Sequence, residues 1–257
     1  MITETFDNKS QPLISPRQAI KPQDLELASN YSIKVCIVTF SYKLIKALLE
    51  DEIIEAIDER LKIGSAAAQN PIYRIKDTEI GVILCGIGAP MAAALVEELR
   101  VLFNCDKFIF FGSCGALVDI AESRIVIPYE AYRDEGTSYH YAKAADFITV
   151  KNAEKLADIM DEIGVGYVVG KTWTTDAFYR ETEENKNKRV AQGCICVEME
   201  CSRLQAVCDF YGLQLYQFVY AADSLDTTWC RRILGNMEMD ARLKYFYVAW
   251  EIAKRVI

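Results

Sequence analysis

Apolar positions along this chain fall into two rhythms that take turns. Residues 33–40 (IKVCIVTF) are rich in β-branched side chains and nearly unbroken by polar ones, the signature of a strand buried on both faces. Leu44, Leu48, Ile53 and Ile57 then recur at helical spacing, which predicts a helix from about 42 to 60. PIYRI and EIGVILC read as a hairpin around Lys76–Thr78, MAAALVEELRVLF as a helix, and KFIFF (107–111) as another buried strand. RIVIP (124–128) predicts a strand ended by its proline. A helix over 151–163, a strand over 165–171, a strand over 194–198, a helix over 200–211 and a strand over 213–222 follow. A long amphipathic helix from about 237 to 256 closes the chain.

Strands alternating with helices imply an α/β sheet covered on both faces. Residues 1–30, with Pro12, Pro16 and Pro22 and little periodicity, read as an extended arm; residues 31–257 read as a single domain. In such sheets ligands sit beyond the carboxyl ends of the strands. The informative positions are therefore those just after Phe40, Cys85, Phe111, Lys171, Val197 and Ala222.

Composition narrows the chemistry. The chain has 257 residues, a formal net charge of -8, nine cysteines and one histidine. Its acidity speaks against a nucleic-acid polymer held through phosphate charge. A single histidine excludes zinc hydrolases with several histidine ligands. The odd cysteine count and a start, MITETFDNKS, without an apolar core region fit reduced thiols in a cytoplasmic protein. Cys194, Cys196, Cys201 and Cys208 cluster, but their spacing matches no common zinc module, so no metal is expected. No apolar run is long enough for a membrane span.

Four strand ends carry unusual residues. GIGAP follows Cys85; it reads as a tight turn and fails the dinucleotide fingerprint at Pro90 and Met91. GSCGAL follows Phe111, where Gly112 and Gly115 allow close backbone approach and Ser113 offers a hydroxyl. VEMEC places Glu198 and Glu200 on either side of Met199 where a strand gives way to a helix. Those carboxylates are either helix-terminal acids or a clamp for a vicinal diol. Asp223 ends the apolar run LQLYQFVYAA, as an Asx-type turn or as a proton donor on a cleft floor.

Taken together, GIGAPMAAALVEEL, FGSCGAL, GKTWTTDAFYRET, VEMEC and AADS resemble, in order and spacing, the nucleoside phosphorylase/nucleosidase superfamily over about residues 33–257. RDEGTSYHY and TTDAFYRET look most like its bacterial uridine phosphorylase-like branch. The resemblance implies a three-layer α/β/α sandwich with a central twisted mixed sheet, assembled as a homodimer, trimer or hexamer. It implies an enzyme that breaks the N-glycosidic bond of a purine or pyrimidine nucleoside, with phosphate as co-substrate and no other cofactor. Residue by residue, it gives Glu200 the ribose hydroxyls, Met199 a place under the sugar and Glu198 a place nearby. Asp223 becomes the acid that protonates a departing purine. Ser113 contacts phosphate or sugar, with Cys114 and Gly115 near the base, and Phe178 and Trp173 line the base pocket.

The sequence departs from the pattern where phosphate binds. The family's arginine two residues before the GS turn is Phe110, and the glycine loop ending in arginine, GDPxR, is replaced by TFSYKL (39–44), whose one cation is Lys43. The pyrimidine-reading Gln and Arg fall at Thr182 and Glu184. Arg180, Arg133 and His140 are candidates for substrate contacts, against ordinary loop roles. A nucleosidase that uses water, and a non-catalytic nucleoside-binding protein on the same fold, are the alternatives to a phosphorylase. An arginine reaching in beside Phe110 and Tyr42 would restore a phosphate site; a dry aromatic wall would not.

Overall fold

The computed structural model describes residues 5–65 and 68–257. Two short helices, α1 (Pro16–Ala19) and α2 (Pro22–Ala28), precede β1 (Val35–Thr39), α3 (Tyr42–Glu50), β2 (Ile54–Ala56), β3 (Lys62–Ser65), β4 (Ala68–Pro71), β5 (Tyr73–Ile75) and β6 (Ile80–Leu84). Then come α4 (Ala89–Phe103), β7 (Lys107–Ala116), β8 (Ile125–Asp134), β9 (Phe147–Thr149), α5 (Ala153–Glu162) and β10 (Tyr167–Thr175). The chain ends with α6 (Glu183–Ala191), β11 (Cys194–Glu198), α7 (Cys201–Tyr211), β12 (Gln214–Ser224) and α8 (Met239–Val256).

The fold is a mixed sheet between two layers of helices. Among the described residues its strand order is β11-β10-β8-β12-β7-β1-β6-β5-β2, with β9 on the edge of β8 and a separate β3-β4 hairpin. The central pairs β6-β1-β7-β12 are parallel, which explains their uninterrupted apolar runs. β11 also pairs antiparallel with β7, so one end of the sheet curls back on itself. That curl brings the ends of β7, β11 and β12 together, and the site lies there.

One helical layer (α3, α5, α8) packs Leu44, Leu48, Leu156, Ile159, Phe246 and Ile252 against Ile37, Ile109 and Phe218 of the sheet. The other (α4, α7) packs Ala92, Val96, Leu99, Leu204 and Val207 against Cys36, Val38, Phe108 and Phe110. Each central strand offers alternate residues to opposite layers, so both faces of β1, β7 and β12 are largely covered, while Tyr129 of β8 and Val169 of β10 stay exposed.

Several expectations shift. The arm is not extended throughout: α1 and α2 form, each with proline in its first turn, and Ala28 is buried. Met1–Glu4, at the start of that arm, lie outside the described residues. The helix expected to reach 60 stops at Glu50. Ile53 and Ile57 fit the helical spacing, but the chain turns through Glu52 at φ 54° and Ile54–Ala56 pairs with β5. β8 runs on through Pro128, whose place falls at a register irregularity against β10 where no ladder donor is required. β7 likewise runs through the GSCGA segment rather than turning there.

Candidate active site

A cavity of about 400 Å³ opens at the carboxyl ends of β7, β11 and β12. Its walls carry Phe40, Gly112, Ser113, Cys114 and Gly115 on one side and Phe178, Tyr179 and Glu181 on another. Glu198, Met199, Glu200, Gln217 and Asp223 complete it. Its size and mostly apolar lining suit one small ligand fixed by a few polar groups.

The two glutamates of VEMEC have different duties. Glu198 Oε2 accepts the backbone N–H groups of Glu200 and Cys201, both at 2.7 Å. Its Oε1 accepts the hydroxyl of Thr174 at 2.5 Å and that of Thr172 at 3.4 Å. It is thus the acid at the start of α7, consumed by the fold. Burial, with Glu200 adding repulsion, pushes its carboxyl up to about 7. Glu200 Oε1 accepts the Gly88 N–H at 2.7 Å. Gly88 sits at φ +102°, a conformation glycine adopts without strain, so the GIGAP turn is what aims that amide. Burial raises the Glu200 carboxyl as well, opposed by the Gly88 amide and by Arg203.

Arg203 lies one turn along α7 from Glu200 and is wholly buried. Its Nη2 donates to the Glu200 carbonyl at 3.4 Å, while Nε and Nη1 find no acceptor. It supplies the positive potential that makes a buried carboxylate beside the cavity tolerable. The sequence reading did not single it out; an arginine one turn before Ala206 and Val207 on an apolar helix face is the signal that could have found it.

Asp223 is 4% exposed and its Oδ2 accepts the indole N–H of Trp229 at 3.0 Å. Its Oδ1 faces Gly115, where a Cβ would lie 3.4 Å away. Burial raises this carboxyl above the ordinary aspartate range; the Trp229 hydrogen bond and Arg232 pull the other way. A carboxyl with one oxygen tied and the other facing the cavity is arranged to carry a proton on the free one. Glu181, which sequence reasoning missed, shares the cavity and has no cation or hydrogen-bond donor on it. Burial and the neighbouring Asp223 push its carboxyl up to about 7.

Other expected site residues fall elsewhere. Ser113, Cys114, Gly115, Met199 and Phe178 line the cavity. Trp173 does not: it is 1% exposed, packs with Leu117, Cys194 and Val197, and donates its indole N–H to Asp134 at 2.9 Å. Arg180 is exposed outside the lining. His140 lies in the loop after β8 with its ring against Phe6, centroids 4.4 Å apart. Arg133, near the end of β8, is spent on Ser138 Oγ at 2.8 Å and the Lys143 carbonyl at 2.7 Å.

The phosphate question has a geometric answer within one chain. Phe110 is fully buried and packs against Phe40, ring centroids 6.3 Å apart, while Phe40 fills the space beside Gly112. This is the aromatic wall. One arginine does reach the loop after β1: Arg242 Nη1 donates to Ser41 Oγ at 3.1 Å. It is tied there, beside the start of α3, and does not line the cavity. Four carboxyl side chains and no lysine or arginine form the lining among the described residues.

No group of histidine, cysteine, aspartate or glutamate among the described residues is placed to hold a metal ion, and no helix of theirs is long and apolar enough to cross a membrane. Eight of the nine cysteines are buried thiols and Cys230 is exposed.

The family model described as the phosphorylase superfamily matches residues 34–241. A DeoD-type purine nucleoside phosphorylase from Aliivibrio fischeri is 28% identical over 166 residues, 63% of this chain and 67% of that protein. A guanosine phosphorylase from Halorubrum lacusprofundi is 29% identical over 177 residues, 64% of this chain and 69% of that one. Among solved structures, an AMP nucleosidase from Bacteroides thetaiotaomicron superposes with a TM-score of 0.66 at 17% identity, covering 90% of this chain and 98% of that one.

Proposed function

The chain belongs to the phosphorylase superfamily, and from that premise we propose that it cleaves the N-glycosidic bond of a purine nucleoside with water as the acceptor. The observation that carries the choice of water is the cavity lining: Glu181, Glu198, Glu200 and Asp223 with no cation among them. A phosphate dianion would meet like charge there and lose the charge-assisted donors that anion sites rely on. A neutral water meets no such penalty.

In this reading Glu200, held by the Gly88 amide, accepts the two ribose hydroxyls and fixes the sugar over Met199. The C1′–N9 bond breaks with its electron pair leaving on the base, and the Asp223 proton passes to N7 so that the base departs neutral. The water oxygen bonds to C1′, and the proton it loses returns through solvent to the carboxylate left on Asp223, which restores the acid. Positive charge on the sugar in the transition state is welcomed by the acidic lining, as in glycoside hydrolysis. Nothing in this sequence of steps calls for a metal or an organic cofactor.

Phosphorolysis is the second reading, favoured by the matched relatives, which are described as phosphorylases. It requires cations from outside this chain's own lining, and an assembly of identical chains is the natural source. Such an assembly would also cover the exposed rim of Ile87 and Tyr179. The reduced thiols fit a cytoplasmic enzyme of nucleoside salvage. The test is release of base from a panel of purine and pyrimidine nucleosides with and without phosphate. Release at the same rate in both conditions supports hydrolysis, and strict dependence on phosphate refutes it.

A further inference from the structure

Glu181 is the one carboxyl of the cavity left without a task. Glu198 is bound by four donors, Glu200 by the Gly88 amide, and Asp223 by Trp229. Glu181 is half-buried in the segment between Phe178–Arg180 and α6, and it accepts no hydrogen bond and pairs with no cation. It shares the cavity with the aromatic pair Phe178 and Tyr179 and lies close enough to Asp223 for the two to repel as charges. That places it at the end of the cavity where the base would stand, away from Phe40 and Gly112.

We propose that Glu181 and Asp223 together read the edge of a purine that carries N7 and the 6-substituent, with Glu181 taking the 6-substituent and so setting the preference between amino and oxo purines. The inference rests on the reading of the cavity as a purine nucleoside site. On that edge adenine presents an acceptor at N7 and a donor at its amino group, whereas a 6-oxo purine presents two acceptors. A protonated Asp223 satisfies N7 in both. Glu181 then matches the amino group when ionised and the oxo group when protonated.

Its carboxyl, pushed up to about 7 by burial and by Asp223, changes state across neutrality. The groups that face it are Asp223 of β12, itself moderated by Trp229 and Arg232, and across the cavity Glu198 of β11 and Glu200. On its own segment Arg180 points to solvent and Glu183 and Glu184 open α6. Raising the pH therefore ionises Glu181 and favours the amino purine; lowering it favours the oxo purine.

The experiment is the ratio of kcat/KM for adenosine over inosine, followed from mildly acidic to mildly alkaline pH in the native chain and in Glu181→Gln. The native ratio should climb about tenfold or more through neutrality, the worth of one hydrogen bond to a charged group. Glutamine, which can present either its oxygen or its NH₂, should make the ratio independent of pH. A flat native ratio, or a climb that survives in Glu181→Gln, overturns the proposal. Should neither nucleoside be cleaved, the enzymatic reading fails separately. Calorimetric binding of free adenine and hypoxanthine then decides the role of Glu181: the same pH-dependent preference, lost in the variant, upholds it. Equal or absent binding of both bases overturns it.

Discussion

Glu200→Gln isolates the diol clamp with little disturbance of shape. Glutamine keeps an oxygen that can accept the Gly88 N–H now 2.7 Å from Glu200 Oε1, so the turn before α4 stays in place. What changes is the other oxygen, which becomes an NH₂ facing the sugar. A carboxylate accepts from both ribose hydroxyls, each such bond to a charged group being worth about 1.5 kcal/mol. Losing both removes about 3 kcal/mol, which is on the order of 10²-fold in kcat/KM. A 2′-deoxynucleoside offers one hydroxyl fewer and should lose only about tenfold. The ratio of ribo- to deoxyribonucleoside turnover therefore collapses, and this ratio is the assay. Stability should fall as well, because the variant leaves the buried Arg203 charge without the carboxylate that offsets it; the ribo/deoxy ratio, which a loss of stability does not move, is what isolates the clamp. The acid limb of the native rate profile should also vanish, since that limb marks ionisation of a carboxyl raised by burial. A variant that keeps the native ribo/deoxy ratio at an undiminished rate would falsify the clamp.

Asp223→Asn should cost about 10²- to 10⁴-fold in kcat on purine nucleosides. It should cost far less on a nitrophenyl riboside, whose leaving group needs no proton; equal losses on both would remove the acid from the mechanism. Gly115→Ala places a Cβ 2.6 Å from Leu225 Cδ1 and 3.1 Å from Val197 Cγ1, on the wall beside Asp223. Activity should drop with far-ultraviolet dichroism intact, and full activity would show that the wall yields. Glu198 carries a carboxyl raised from 4.5 to about 7, so the folded chain holds a proton there that the unfolded chain has lost. Its stabilising contribution is complete below 4.5 and fades as pH rises toward 7. Glu198→Gln should flatten the slope of melting temperature against pH in that window, and an unchanged slope would locate the titration elsewhere.

The sheet was legible because its central strands are buried on both faces, and nothing but an unbroken apolar run can occupy such a place. The carboxylates Glu200 and Asp223 and the GSCG segment were legible for a related reason, since charged or hydroxyl-bearing residues at the ends of apolar runs stand out. Glu181 was hidden because its neighbours Arg180, Glu183 and Glu184 are charged too, so nothing along the chain marks it as the one turned inward. Trp173 misled for the opposite reason. An aromatic near a binding motif reads as a wall of the pocket, but the alternation of β10 turns it to the far side, against Leu117 and Val197. Arg203 and Trp229 act only through folding, one by burial under Glu200 and the other by a loop that returns to Asp223. Arg133, at the end of β8, spends its guanidinium on holding the loop that carries His140.

The pairing of β12 with β7 slips by one residue between Ala221 and Asp223, so that Cys114 stands opposite Ala221 and Gly115 opposite Asp223. Ala222 is the supernumerary residue, and it has no chemistry of its own. It nonetheless acts as a spacer that decides where the acid comes to rest. Excising Ala222 would leave every reactive side chain in the chain and the acid still opposite Gly115, yet seat it where the alternation of the strand turns its side chain toward the opposite face. For descendants of this chain, then, the acid is exposed to a kind of loss that no tally of conserved letters would register: a three-nucleotide deletion could silence the site while the motif, read residue by residue, still looked whole.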